Sequence, residues 1–134
     1  MSDLSRAIEV AVDAHWEQAD KTGQPYILHP LRVMLSQKDE TSRIVAVLHD
    51  VVEDSTSVGH GDILAMFGAS VHTAVYALTR QDGETYEAFI LRAKADPIAR
   101  RVKIADIKDN LRPGAPHLRE RYEAALAVLE EPTC

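Results

Sequence analysis

The sequence predicts an all-α fold, a compact irregular helical bundle. Three observations carry this expectation. Apolar residues recur at spacings of three and four along most of the chain. Asp96-Pro97 forms a strong helix start, an N-cap followed by proline at the first helical position. Glycine and proline punctuate the periodic stretches at short intervals, which sets irregular helix lengths. With 46% hydrophobic residues, the 134-residue chain can bury one substantial core, and residues 1–134 are expected to form one domain without repeat or linker.

The first helix starts near Asp3 or Ser5 and carries Leu4, Ile8, Ala11, Val12 and Trp16 on one face; Gly23-Gln24-Pro25 breaks it. Pro30 suits the first turn of a second helix with Leu31, Val33, Met34 and Leu35. A third is expected from Thr41 or Ser42 through Asp54. Its valines and isoleucine would also suit a buried strand, but length and polar starting residues favour helix. Ser55 to Gly61 reads as a loop. Three shorter helices follow over Asp62 to Phe67, Ala69 to Leu78 and Glu84 to Ala95, separated at Gly68 and Gln81-Asp82-Gly83. The helix opened by Asp96-Pro97 carries Ile98, Val102, Ile104, Ala105, Ile107 and Leu111, and Pro113-Gly114 ends it. A last helix runs from near His117 to Glu131, with Leu118, Tyr122, Ala125, Leu126 and Leu129 as its stripe.

Fifteen Lys and Arg against 21 Asp and Glu leave a formal charge of −6, which argues against nucleic acid as the main partner. A small phosphorylated ligand stays open, because a bound divalent cation can reverse the potential locally. No stretch approaches bilayer-spanning length, and Met1-Ser2-Asp3 lacks a leader-like pattern, so no membrane association and a cytoplasmic location are expected. The single cysteine, Cys134, excludes an intramolecular disulfide or a multi-cysteine metal site. The sequence is compatible with a homo-oligomer without specifying one.

The candidate site starts at His49-Asp50, followed by Glu53 and Asp54, inside the apolar run that begins at Ile44. Four ionisable groups there are expensive to desolvate unless they are paired, hydrogen-bonded or metal-bound. On one helix, His49 and Glu53 are four apart, as are Asp50 and Asp54, so the four side chains can approach one end of a cavity. Asp106 and Asn110 form a second set four apart, and His29 in Tyr26-Ile27-Leu28-His29-Pro30 a third. Together His29, His49, Asp50 and Asp106 offer two imidazoles and two carboxylates. Mixed nitrogen and oxygen ligation suits manganese, iron or zinc better than an all-oxygen magnesium site. Glu53 and Asp54 could then orient a hydrolytic water or take its proton.

Plainer readings stand beside each residue. His29 could be a packed histidine, His49-Asp50 a buried ion pair, and Asp106 a carboxylate paired with Lys103. Asn110 could bond backbone groups near its helix end. His15 reads best as a satisfied core histidine, and Tyr86, Phe89 and Tyr122 as packing residues.

Taken together, the chain resembles the HD-domain phosphohydrolases, specifically the hydrolase domain of the bifunctional RelA/SpoT-type alarmone synthetase-hydrolases and the small alarmone hydrolases. The resemblance rests on Ala14-His15, Pro25-Tyr26-Ile27-Leu28-His29-Pro30-Leu31, Leu48-His49-Asp50-Val51-Val52-Glu53-Asp54, Phe67-Gly68, Leu78-Thr79 and Val102-Lys103-Ile104-Ala105-Asp106 with Asn110-Leu111-Arg112, in the family's order. It implies that His29, His49, Asp50 and Asp106 hold manganese, or another divalent transition metal. It also implies that Glu53 and Asp54 position the water and that Lys21, Asn110 and Tyr122 contact a phosphorylated nucleotide. The implied reaction removes the 3′-pyrophosphate of guanosine tetra- or pentaphosphate. Alternatives are another nucleotide or phosphomonoester, or a catalytically silent nucleotide-binding protein; the retained Glu53 and Asp54 argue against the last. The chain departs from the family at Glu17-Gln18, where a glycine-glutamine pair is usual, and at Asp20, where an arginine precedes the lysine. Ile107-Lys108-Asp109 replaces a stretch with an arginine and a histidine. Asp20 reverses a charge near an anionic ligand.

Overall fold

The computed structural model describes residues 3–112 and 116–132. Among these the elements are α1 (Asp3–Ala14), α2 (Leu28–Leu35), α3 (Glu40–Leu48), α4 (Val51–Asp54), α5 (His60–Phe67), α6 (Ala69–Ala77), α7 (Tyr86–Ala95), α8 (Pro97–Asn110), a 3₁₀ turn (Pro116–Leu118) and α9 (Arg119–Glu130). The expected all-α bundle is what forms. No described helix is long and apolar enough to cross a membrane.

α3 is the centre. Val45, Ala46, Val47 and Leu48 are fully buried, and a helix that is apolar all round can only be stable when neighbours surround it. α1, α2, α6 and α8 supply those neighbours. α1 presents fully buried Ala7 and Ala11 to this core, and α8 adds Ala99 and Val102. A second cluster, Ile90, Ile107, Ala125 and Leu129, ties α7, α8 and α9 together. α8 therefore belongs to both cores, which fixes its polar residues against α2 and α3.

Local chemistry explains the boundaries. Asp96 caps α8 by accepting from Ile98 N and Ala99 N, as its sequence predicts. Thr85 Oγ1 accepts from Ala88 N, so α7 starts at Tyr86 and not at Glu84. α3 is capped by Asp39, whose carboxylate accepts from Ser42 N, and not by Thr41 or Ser42. Asp62 accepts from Gly59 N, and α5 begins two residues earlier than expected, at His60. α9 begins at Arg119, after the 3₁₀ turn.

The main correction concerns the expected continuous helix through Asp54. α3 stops at Leu48, Asp50 stands at φ −104°, ψ 0°, and the short α4 follows. The cause lies in His49: its backbone N–H and its ring Nδ1–H both donate to Ala46 O, which tightens the helix end to an i−3 bond. Trp16 is a second correction. The chain leaves α1 at Ala14 and turns at Glu17, at φ +64°, leaving Trp16 70% exposed and outside the apolar stripe. The expected helix stop at Pro113-Gly114 and the terminal Cys134 lie outside the described residues.

Candidate metal centre

His29 enters the site from the first turn of α2, where the missing N–H of neighbouring Pro30 breaks no helical bond. His49 and Asp50 come from the break after α3, and Asp106 from the middle of α8. One ligand atom each from His29, His49 and Asp50 lies within 4.8 Å of the others. Asp106 joins them: its Oδ1 is 2.8 Å from His29 Nε2 and 3.3 Å from His49 Nε2. His49 Nε2 is 3.2 Å from Asp50 Oδ2, which also accepts from the Tyr26 hydroxyl.

Both imidazoles turn the same atom inward. Behind His49, Nδ1 is engaged by Ala46 O; behind His29, Nδ1 is 2.6 Å from Asp109 Oδ2. Protein acceptors at both Nδ1 atoms leave the two Nε2 atoms for the cluster, the arrangement that metal-ligating histidines require. The donor set thus fits a divalent transition metal. It is a cluster of two histidines and a carboxylate capable of coordinating one, with Asp106 beside it.

The electrostatics say what occupies the space otherwise. Burial disfavours a charged His49, but Asp50 and Asp106 outweigh it and hold its pKa well above the ordinary value. Burial likewise pulls His29 down, and the bond and charge of Asp106 together with the bond to Asp109 more than reverse this. For Asp50 burial works upward, yet the facing His49 brings its carboxyl to about 2. Asp106 is pushed up by burial and held well below the usual carboxylate range by Lys103 and His49. The carboxylates thus favour positive charge at the place where the two Nε2 atoms meet.

Asp106 makes the expected pair with Lys103 and faces the histidine cluster at the same time. Its Oδ2 is 2.8 Å from Lys103 Nζ while Oδ1 faces the histidines. Glu53 and Asp54, neighbours on α4, point to different partners, as successive residues of a helix do. Glu53 Oε1 accepts from Arg80 N, and Asp54 Oδ2 lies 3.4 Å from both His15 Nδ1 and Gln18 Nε2. Burial of its carboxyl pushes the Glu53 pKa up, and only part of this is offset by the Arg80 N–H. The expectation that His15 is fully satisfied fails: Nδ1 donates to Gln18 Oε1, but buried Nε2 has no hydrogen-bond partner among the described residues.

A cavity of about 330 Å³ opens beside the cluster and reaches it through His29, Asp109 and Asn110. Lys21 and Tyr122 line the same cavity, so the three residues expected to contact substrate share one space with a histidine of the cluster. Asn110 Nδ2 is 3.4 Å from Asp106 Oδ1 rather than bonded to backbone. Asp20 also lines the cavity, but its Oδ1 accepts from Thr22 N, Thr22 Oγ1 and Gln24 N. Sequence reasoning missed the roles of Tyr26, Arg32 and Asp109. The available signal was spacing: Arg32 stands three after His29 and Asp109 three after Asp106, two matched helical pairs on packed helices.

Residues 7–112 match the family model described as HD domain. The chain belongs to the HD-domain family. The domain is 35% identical over 122 residues to a guanosine-3′,5′-bis(diphosphate) 3′-pyrophosphohydrolase of Aquifex aeolicus, a match covering 82% of this chain and 17% of that protein. It is 32% identical over 124 residues to the bifunctional (p)ppGpp synthase/hydrolase SpoT of Escherichia coli, covering 81% and 18%. This HD domain therefore spans less than a fifth of the length of either relative. Its fold matches a solved structure described as a metazoan ortholog of SpoT that hydrolyzes ppGpp. There the TM-score is 0.76 and the identity 24%, covering 96% of this chain and 84% of the other.

Proposed function

We propose that this HD domain is a manganese-dependent hydrolase that removes the 3′-pyrophosphate of guanosine tetra- or pentaphosphate. The observation that carries it is the convergence of His29 Nε2, His49 Nε2, Asp50 Oδ2 and Asp106 Oδ1 beside a cavity of small-molecule size that His29 lines. The names of the relatives supply the substrate class. His29, His49, Asp50 and Asp106 would hold a divalent cation here, which would supply Lewis acidity toward a water and a phosphoryl oxygen.

The side chains divide the remaining work. Lys103 takes Oδ2 of Asp106 and leaves Oδ1 to the histidines, while Tyr26 donates to the same Asp50 Oδ2 that faces His49 and so fixes that oxygen in place. Glu53, made more basic by burial, takes the proton of the attacking water. Asp54, braced by His15 and Gln18, orients that water. Lys21 offers a cation to the phosphates at the cavity edge, and Asn110 and Tyr122 receive the nucleoside. The water oxygen bonds to the phosphorus as the bond from that phosphorus to the 3′ oxygen breaks; pyrophosphate leaves, and the 3′ oxygen takes up the proton that Glu53 accepted.

Incubation of the manganese-loaded protein with the alarmone, followed by separation of guanine nucleotides, tests this directly. Pyrophosphate release that disappears in His49→Ala and Glu53→Ala variants supports it. No release at high protein concentration sinks it. A second reading, hydrolysis of another nucleotide or a phosphomonoester, is favoured by Asp20, a carboxylate at the cavity where the family carries an arginine. A panel of nucleoside monophosphates and phosphorylated dinucleotides separates the two. Nucleotide binding without turnover of any member of the panel points to a silent binding domain.

A further inference from the structure

We propose that Asp109 is a positioning residue that fixes the ring of His29 for metal binding, with Arg32 as its clamp. This rests on the metal reading of the cluster. His29 is 6% exposed, and its Nδ1 lies 2.6 Å from Asp109 Oδ2. Asp109 is 9% exposed, a burial that an unpaired carboxylate does not tolerate. Arg32 meets it with two bonds, Nε to Oδ1 at 2.7 Å and Nη2 to Oδ2 at 2.9 Å; Arg112 Nη1 adds a longer contact of 3.3 Å to Oδ1. A fork-to-carboxylate pair of this kind fixes the carboxylate in plane as well as in place.

Ionised Asp109 can only accept, so the His29 proton that survives metal binding must stay on Nδ1. Nε2, which faces Asp106 Oδ1, then carries the lone pair. His49 receives the same service from a neutral carbonyl, Ala46 O. The two ligands are therefore unequal: a carboxylate behind the ring makes His29 the more basic donor. The geometry also accounts for an acidic residue beside a cavity meant for an anion. Arg32 lines that cavity and neutralises Asp109 there, so Asp109 serves His29 without presenting an unpaired charge to the ligand. His29 and Arg32 on α2, and Asp106 and Asp109 on α8, thus form one closed network across two packed helices.

The test measures metal binding separately from turnover. Chelator-treated wild type, Asp109→Ala and Asp109→Asn are titrated calorimetrically with Mn²⁺, with thermal melts in chelator confirming folding. Asp109→Ala is expected to bind on the order of 10–100-fold more weakly. Asp109→Asn, which keeps one acceptor oxygen but not the charge, falls between it and wild type. A long-range ¹H–¹⁵N histidine spectrum of the wild-type protein loaded with Zn²⁺ should show the His29 proton on Nδ1. A folded Asp109→Ala that binds Mn²⁺ like wild type, or a proton on Nε2, overturns the proposal. Should Asp109→Ala fail to fold, the wild-type spectrum decides by the same criterion. A wild-type protein that binds neither ion overturns the metal reading itself.

Discussion

Lys103 Nζ lies 2.8 Å from Asp106 Oδ2, with both side chains largely buried on the same helix. This pair, with His49, keeps the buried Asp106 carboxyl well below its usual range. It also explains why Asp106 offers the histidines one oxygen rather than two.

Removal of Lys103 leaves a buried charge. Lys103→Met should destabilise the metal-free protein by about 3 kcal/mol, the lower end for a broken buried pair, because His29 and His49 still face the other oxygen. Urea unfolding in chelator measures it. A loss below about 0.5 kcal/mol would place this pair with exposed ion pairs in energetic terms.

Glu17 holds a left-handed backbone, φ +64°, at the position where the family carries glycine. A side chain there costs about 1–2 kcal/mol, and glycine returns part of that through its unfolded-state freedom. Glu17→Gly should therefore stabilise the protein by about 0.5–1 kcal/mol, read as a rise in melting temperature. A drop would show that the turn depends on the Glu17 side chain.

Glu53 has a raised carboxyl pKa, chiefly through burial. A carboxyl raised on folding disfavours the folded state at neutral pH, and the penalty fades as pH falls through the ordinary glutamate range. In chelator, Glu53→Gln should thus be more stable than wild type at pH 7, with the difference shrinking toward pH 4. Denaturant midpoints at both pH values check the sign; equal differences would remove burial as the cause. Turnover of Glu53→Gln should fall by about 10²-fold or more while Mn²⁺ binding persists.

Metal loading should raise stability by mass action. At a free concentration about 100 times the dissociation constant, Mn²⁺ adds about 2.7 kcal/mol. The melting temperature should rise with Mn²⁺ and return with chelator. His49→Ala should lose this response; retention of the full shift in that variant would locate the ion elsewhere.

Much of the site was visible in residue types. His29, His49, Asp50 and Asp106 carry chemistry too costly to bury without purpose, and the structure gathers them. Most helices followed from periodicity and caps, because Asp96-Pro97 and the glycines act locally. The break after Leu48 did not, since it depends on the His49 ring competing for Ala46 O. The Asp109–Arg32 pair was hidden for a different reason. Its residues are 77 apart, and only the packing of α2 on α8 makes them neighbours.

Asp20 ends as a structural tie. Its carboxylate closes the turn through Thr22 and Gln24, next to the Asp20 N–H bond to Gln24 O and the left-handed Gly23. Putting the family's arginine back at this one position would exchange a charge and unpick the turn that carries Lys21 and Tyr26. The charge on this wall of the cavity thus belongs to a stretch of chain, residues 18–26, that can be exchanged only as a whole.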